Sequence, residues 1–208
     1  AQNRVETAAG IIGSVDPARV ADPLSGANAA ERAWHFLLAG YESGYMYYGA
    51  ALDMEVKATL ACNRAVEHAD AILAGGPDTT APTLWLPQRL PWNPGGKGGG
   101  SLWGWPGGAG ADMPRDFWVW TFAYDVSGVD TVRLVYRVDA DGENPLASTQ
   151  NETYAGGPEV GAWQAAAMTR RAFPKGDVFD LPEIDFGVLP SYIAEQWSAA
   201  GTTALTGD

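Results

Sequence analysis

The stretch FWVWTFAYDVSGVDTVRLVYRVD, residues 117–139, decides the fold class of the second half of the chain. Large apolar side chains recur at every second position on both sides of a short Ser-Gly-Val connection. A period of two residues is typical of strands that lie on a core with one face. The stretch therefore predicts two strands joined as a hairpin, with a clearly apolar face on the second strand.

The chain beyond this stretch continues the strand pattern. GAWQAAAMTRRAF, residues 161–173, predicts a third strand, and EIDFGVLPSYIAEQWSAAG, residues 183–201, predicts a short strand or turn followed by a helical turn or two. The Asp-x-Ser-Gly-Val connection and the later Asp-x-Asp-Gly resemble the paired strands of immunoglobulin-like and fibronectin type III modules. The resemblance implies an antiparallel β-sandwich.

The first half of the chain has helical patterns. NAAERAWHFLLAGY, residues 28–41, begins with Asn28 and has Glu31 three residues later, which is the spacing of a capping box. DMEVKATLACNRAVEHADAILAGGP, residues 53–77, predicts a second helix with Asp53 as its N-cap and Gly75 as part of its stop signal. Residues 1–27 predict a loop with one helical turn at most.

We therefore predict an α+β chain with two parts. Residues 1–76 form a helical hairpin, and residues 77–208 form a Trp/Gly-rich loop and the immunoglobulin-like antiparallel β-sandwich. Two helices cannot bury both of their faces alone, so a further partner is expected for them.

Composition and charge limit the classes of ligand. The 208 residues carry a formal net charge of -12, and charged residues make up only 18%. Phosphate backbones and anionic membrane surfaces bind clusters of Lys and Arg, so this balance argues against nucleic acid and against a membrane surface as partners. A neutral ligand such as a sugar is compatible with it. The single Cys62 excludes an internal disulfide and indicates a buried thiol.

The loop TLWLPQRLPWNPGGKGGGSLWGWPGG, residues 83–108, places several indole rings on a backbone rich in Gly and Pro. Trp92, Trp103 and Trp105 predict a carbohydrate-binding surface, because a flat indole ring can stack on the face of a sugar ring. The alternative is that these rings seal the junction between the two parts. Trp85 is expected in a strand and in the core.

The helical segment resembles glycoside hydrolase family 57 and its relatives. The matching residues are Ala33-Trp34, Leu37-Leu38, Glu42-Ser43, Tyr45, Tyr47-Tyr48 and Gly49. The chain departs from the family at Ala50, where an Asp is often found. The family's catalytic carboxylates lie in an upstream barrel, so the resemblance implies the C-terminal, non-catalytic part of an α-glucan-active glycosidase and no catalytic residue in this chain.

Tyr45, Tyr47 and Tyr48 lie between the two predicted helices and are candidates for a saccharide subsite wall; the alternative is packing at the helix junction. Glu42 and Asp53 flank them and are interpreted as a helix-end acid and an N-cap, with the rim of a neighbouring active site as the alternative. Asp139, Asp141 and Asn144 supply oxygen ligands of the kind that calcium prefers, although Asp-Gly is also a common hairpin turn.

These patterns together predict a part of a glycoside hydrolase that completes a sugar cleft and holds a polysaccharide, with an α-glucan favoured. The expected partners are a polysaccharide or oligosaccharide and an upstream catalytic domain or chain, in an extracellular or periplasmic setting. The alternative is a stand-alone surface module that binds proteins. A complete enzyme is disfavoured because no catalytic set is visible among two histidines and one cysteine.

Overall fold

The computed structural model confirms the predicted α+β class, with a helical region followed by antiparallel sheets, as expected for a helical region and a β-sandwich. It describes residues 1–42, 52–91, 94–99, 109–138, 161–171, 192 and 194–202. The helices are α1 (Gln2–Ile12), α2 (Pro17–Ala21), α3 (Ala29–Gly40) and α4 (Leu52–Leu73), with a 3-10 turn at Pro23–Ser25 between α2 and α3.

Helix α3 begins as the sequence predicts. The side chain of Asn28 accepts a hydrogen bond from the backbone N–H of Glu31, and the Glu31 carboxylate accepts one from the backbone N–H of Asn28. This reciprocal capping box satisfies two of the N–H groups that a helix start leaves open. Helix α4 begins at Leu52, so Asp53 lies inside the helix instead of capping it.

Helix α1 corrects the expectation of a loop in residues 1–27. Its buried face combines the apolar Val5 and Ala8 with the polar Asn3 and Thr7. Because Asn3 and Thr7 are polar, the buried face does not show the helical spacing of apolar residues from which a helix would have been predicted. Thr7 Oγ1 donates to the carbonyl of Asn3, and Asn3 Nδ2 donates to the carbonyl of Ala81. The polar side chains can therefore be buried because a distant part of the chain supplies a partner.

The helical core consists mainly of small and aliphatic side chains from α1, α3 and α4. Alanine dominates it, so the helix backbones approach one another closely. At Gly40 an added Cβ would lie 2.9 Å from Cys62 Sγ on α4. The buried members of this core are Val5, Ala8, Ala30, Ala33, Leu37, Ala65, Ala69 and Ile72.

Eight strands form three sheets in the described residues. A four-stranded sheet has the order β1-β4-β8-β7, and two-stranded sheets join β2 with β3 and β5 with β6, both antiparallel. The strands are β1 (Thr83–Leu90), β2 (Lys97–Gly99), β3 (Ala109–Asp112), β4 (Asp116–Tyr124), β5 (Arg133–Tyr136), β6 (Gln164–Ala167), β7 (Thr169–Arg171) and β8 (Glu195–Thr202).

The predicted hairpin in residues 117–139 is wrong, although both strands exist. β4 lies between β1 and β8, whereas β5 pairs with β6, with Arg133 opposite Ala167 and Tyr136 opposite Gln164. The connecting segment is bonded to the helical region: the N–H of Val126 donates to Asn3 Oδ1, and the N–H of Ser127 donates to Asp78 Oδ2. These bonds direct the chain away from a direct return along β4.

Two further expectations about strands are corrected. Where one strand was expected in residues 161–173, the described residues 164–171 form two strands, β6 and β7. They are separated at the buried Met168, whose N–H donates to the carbonyl of Val132. The helical turn expected near the end of the chain is instead strand β8, which packs Trp197 and Ala199 inward. The burial of alternate residues, typical of a strand, here outweighs the helix propensity of Ala and Glu.

The contacts within the chain group into two compact units. The first comprises Ala1–Pro87, Thr121–Val129 and Arg171–Gln196, and the second comprises Gln88–Trp120, Asp130–Arg170 and Trp197–Asp208. The division of the chain at residues 76 and 77 stays a prediction.

Candidate functional site

The residues predicted from the sequence as binding residues lie outside the described residues. The carbohydrate-binding candidates are Trp92, Trp103, Trp105, Tyr45, Tyr47 and Tyr48, and the calcium candidates are Asp139, Asp141 and Asn144. These assignments therefore stay predictions. Within the described part of the chain, no group of three or more His, Cys, Asp and Glu side chains could hold a metal ion.

The described residues form a different aromatic site, which we call the aromatic pocket. It is a cavity of about 310 Å³ whose walls include Tyr41, Trp85, Phe122, Tyr124 and Tyr192. All of these residues belong to the first compact unit. The volume is at the lower end of the range of small-molecule sites, which is about 300–1,000 Å³.

The strands place three of the five rings. Side chains alternate between the two faces of a strand, so Thr83 and Trp85 of β1 share one face, and Phe122 and Tyr124 of β4 share one face. The neighbouring position Thr121 is buried, and its hydroxyl donates to the carbonyl of Trp85 over 2.9 Å. This hydrogen bond joins the backbone of Trp85 in β1 to the side chain of Thr121 in the adjacent strand β4.

Trp85 corrects the expectation of a core residue. It lies in a strand, as predicted, but half of its surface (50%) remains exposed. A ring held by the backbone and only half covered is available for a ligand to stack on. The alternation in TLWL predicts that Trp85 and Thr83 share one face of a strand. It does not show which residues pack against that face, so the exposure of Trp85 could not be predicted from the sequence.

Helix α3 contributes Tyr41 at its C-terminal end. The hydroxyl of Tyr41 donates to Gln2 Oε1 over 2.8 Å, which ties the ring to the first turn of α1. Burial raises the pKa of Tyr41, and burial also raises the pKa of the Cys62 thiol that lines the same cavity. Both groups are therefore uncharged at neutral pH, which suits an uncharged ligand.

Arg4 holds the other two tyrosines. Its Nε lies 2.6 Å from Asp70 Oδ1, its Nη1 donates to the hydroxyl of Tyr124 over 2.5 Å, and its guanidinium carbon lies 3.9 Å from the centre of the Tyr192 ring. The Tyr192 hydroxyl in turn donates to Asp70 Oδ2 over 3.2 Å. We call these four residues the Arg4 network.

Arg4 keeps its positive charge. Burial acts to lower the pKa of Arg4, but the hydrogen bonds to Asp70 and Tyr124 outweigh it and raise the pKa. Because Arg4 donates to the oxygen of Tyr124, the O–H group of that tyrosine is a stronger donor toward anything in the pocket. The network thus fixes two rings and prepares one hydroxyl for a hydrogen bond.

The described carboxylates lie outside the lining of the aromatic pocket. Glycoside hydrolysis by the common route needs two carboxyl groups across the scissile bond. Among the described residues that line the aromatic pocket there is no Asp or Glu, and Asp70 beside it is engaged by Arg4 and Tyr192. Of the two acids that the sequence analysis singled out, Glu42 follows the end of α3 and Asp53 lies in the first turn of α4.

Comparison with known proteins gives one informative similarity. The chain is 31% identical over 164 residues to an alpha-amylase of Niallia circulans, and the match covers 72% of this chain but only 12% of that protein. No protein-family model matches the chain. No solved structure is significantly similar to it. Among the described helices, none has the length and apolar content that crossing a membrane would need.

Proposed function

We propose that this chain is a non-catalytic, carbohydrate-binding part of an α-glucan-active glycoside hydrolase, and that the aromatic pocket holds the saccharide. The observation that carries the proposal is the set of five aromatic rings around one cavity, positioned by strand pairing, by the Arg4 network and by the bond between Tyr41 and Gln2. Flat rings with a few convergent hydroxyl groups are the surface that a pyranose ring needs, with apolar faces for stacking and polar edges for hydrogen bonds.

The similarity to a small part of an alpha-amylase supports the choice of ligand. Since the match covers 12% of that protein, we propose that the catalytic carboxylates belong to another domain or chain of the same enzyme. The loop tryptophans Trp92, Trp103 and Trp105 and the tyrosines Tyr45, Tyr47 and Tyr48 stay proposed as saccharide-binding residues. The same proposal includes three further points: a relationship to glycoside hydrolase family 57, an extracellular or periplasmic location, and calcium binding at Asp139, Asp141 and Asn144.

The energetic scale of the proposed contact is modest. Covering a large aromatic side chain contributes about 1.5–3 kcal/mol, which corresponds to a weak and reversible grip on a single sugar unit. Such a grip suits a polysaccharide, because several weak contacts along one long ligand combine into a larger affinity. The acidic net charge of -12 does not oppose a neutral glucan.

Native gel electrophoresis in the presence of soluble starch or glycogen tests the proposal. The 208-residue chain should migrate more slowly in the polysaccharide gel than in a plain gel, and Trp85→Ala should lose most of this retardation. Trp118→Ala is the matched control, because Trp118 is similarly exposed (55%) on β4 but does not line the pocket. A Trp85→Ala variant retarded as strongly as the wild type would place the binding site elsewhere.

Two other outcomes would overturn the proposal as a whole. Equal mobility of the wild type with and without every polysaccharide would favour the alternative of a protein-binding surface module. Release of reducing sugar from starch by the purified chain would show that the chain is catalytic. This result would contradict the proposal that the catalytic carboxylates belong to another domain or chain.

A further inference from the structure

A second cavity lies beside the aromatic pocket and shares Tyr192 with it. This cavity, of about 440 Å³, follows one side of α4, and we call it the α4 groove. Its lining residues on α4 recur three or four positions apart and therefore share one face of the helix; they are Leu60, Asn63, Arg64, Val66, Glu67 and Asp70. All of them, like Tyr192, belong to the first compact unit.

Tyr192 is a fixed wall between the two cavities. Its ring is held by the guanidinium of Arg4 at 3.9 Å, and its hydroxyl is held by Asp70 at 3.2 Å. The side chain nevertheless remains 44% exposed. A ligand that extends from one cavity to the other can contact this exposed ring. Because the ring is already anchored at two points, little side-chain entropy is lost when the ligand binds.

The α4 groove differs from the aromatic pocket in chemistry. Arg64 Nη1 lies 2.6 Å from Glu67 Oε2, and both side chains are more than half exposed. A guanidinium has five N–H donors and a carboxylate has about four acceptor sites, so one contact between them leaves hydrogen-bonding capacity for a ligand. Sugar hydroxyl groups both donate and accept, and therefore match a surface that offers both kinds of group.

The charges of the groove compensate each other. Arg64 is paired with Glu67, and Asp70 is paired with Arg4 over 2.6 Å. The described ionic groups at the groove therefore sum to no net charge, which favours a neutral ligand over an acidic sugar such as a uronic acid. An uncompensated Arg or Lys would be expected for a carboxylate ligand.

We infer, on the basis of the proposed function, that the saccharide site has two adjacent subsites and recognises a neutral oligosaccharide rather than a single sugar. In the aromatic pocket, one sugar ring stacks on the aromatic side chains. Tyr192 separates the two subsites, and in the α4 groove Arg64 and Glu67 form hydrogen bonds with the hydroxyl groups of the next sugar. A ligand that fills both subsites has a larger affinity because its second contact is made at a high effective concentration.

Isothermal titration of the 208-residue chain with glucose, maltose, maltotriose and maltoheptaose tests this inference. Affinity should rise about tenfold or more once the ligand can span both subsites, and remain nearly constant after that. Arg64→Ala and Glu67→Gln should each weaken maltoheptaose binding about threefold to tenfold, the loss expected for one or two hydrogen bonds, while leaving glucose binding unchanged. A galacturonate oligomer should bind more weakly than the glucan oligomer.

Arg19→Ala is the matched control for these variants. Arg19 and Asp16 form another exposed ion pair three residues apart, at 3.8 Å, away from both cavities, so that this variant should bind maltoheptaose like the wild type. Equal affinity for glucose and maltoheptaose, or unchanged maltoheptaose binding by both groove variants, would overturn the two-subsite inference. In either case Trp85-dependent binding would leave the proposed function standing; if no saccharide bound at all, the proposed function itself would fail.

Discussion

The guanidinium of Arg4 stacks on the ring of Tyr192, with 3.9 Å between the guanidinium carbon and the ring centre. The two residues are 188 positions apart, yet the same arginine also pairs with Asp70 and bonds Tyr124. One side chain of α1 thus positions two walls of the aromatic pocket. Its own side chain is only 12% exposed, although Asp70 (34%) and Tyr192 (44%) are more open to water.

Replacement of Arg4 tests this positioning role. Arg4→Met keeps a long side chain but removes the charge, so the Asp70 carboxylate loses its partner and Tyr192 loses its support. We expect saccharide affinity to fall about tenfold and the free energy of unfolding to fall by about 1–3 kcal/mol. Titration calorimetry and urea unfolding measure the two effects.

The double variant Arg4→Met/Asp70→Asn separates stability from positioning. Removing the unpaired carboxylate should restore part of the lost stability, whereas the affinity should stay low because Tyr192 remains unsupported. Wild-type affinity in Arg4→Met would show that the network is structural only.

Glu31 is a second residue for which the structure predicts a large effect. It is only 2% exposed, and its two carboxylate oxygens accept from the backbone N–H groups of Asp16, at 3.0 Å, and Asn28, at 2.7 Å. Glu31→Ala leaves both N–H groups without this acceptor and should lower the free energy of unfolding by about 2–4 kcal/mol. The comparable change Glu67→Ala, at an exposed helix position, should alter it by about 0.5 kcal/mol or less. Chemical denaturation of both variants gives the comparison.

The close approach of Gly40 to α4 predicts a steric effect. A Cβ at this position would lie 2.9 Å from Cys62 Sγ, so Gly40→Ala should destabilise the chain by about 1–3 kcal/mol. Gly10→Ala is the control, since a Cβ at Gly10 meets nothing within 4 Å and alanine favours a helix by about 1 kcal/mol. Thermal unfolding should therefore shift in opposite directions for the two variants.

A second-site change checks the cause of the Gly40→Ala effect. Cys62→Ala removes the sulfur atom that the new methyl group meets, so it should recover much of the stability in the double variant. If Gly40→Ala is equally harmful with and without the sulfur, the cause is backbone conformation instead of the contact with Cys62.

Asp78 predicts a pH dependence. Burial acts to raise its pKa, but hydrogen bonds from the Thr80 backbone, from Ser127 and from Thr7 outweigh burial and lower the pKa below the ordinary aspartate value of 3.8. A lowered pKa in the folded state means that the ionised carboxylate stabilises the fold above pH 3.8, and that this contribution is lost as the pH falls through the folded-state pKa.

Urea unfolding at pH 7 and at a series of pH values between 4 and 2 measures this contribution. At pH 7 the wild type should be more stable than Asp78→Asn by about 1 kcal/mol, and the difference should shrink steadily between pH 4 and pH 2. Because Asn keeps an acceptor oxygen, the variant should still fold. A difference that grows at low pH would contradict the assigned direction of the shift.

The local parts of the fold could be predicted from the sequence. The capping box of Asn28 and Glu31, the stop after Leu73 and the strand character of residues 117–124 depend on neighbours within a few residues, and the structure confirms them. Helix α1 could not be predicted, because Asn3 and Thr7 occupy its buried face and find partners far along the chain, at Ala81 and Asp78.

The candidate site shows the same limit more strongly. The sequence drew attention to clusters of neighbouring aromatic residues, whereas the aromatic pocket collects single rings from α3, β1, β4 and Tyr192. No two of these rings except Phe122 and Tyr124 lie within three residues of each other in the chain. Spacing along the sequence therefore contains no signal for their proximity.

The sequence by itself determined the fold class, the capped start of α3, the end of α4, the strand character of residues 117–124, and an acidic chain suited to a neutral ligand. These features follow from local hydrogen bonding, side-chain periodicity and composition. Only the tertiary structure decided which strands pair, that Trp85 stays half exposed, and that Arg4 meets Asp70, Tyr124 and Tyr192. The reason is physical: pairing and burial depend on contacts between segments distant in the chain, and their free energy is set by the whole fold rather than by any one segment.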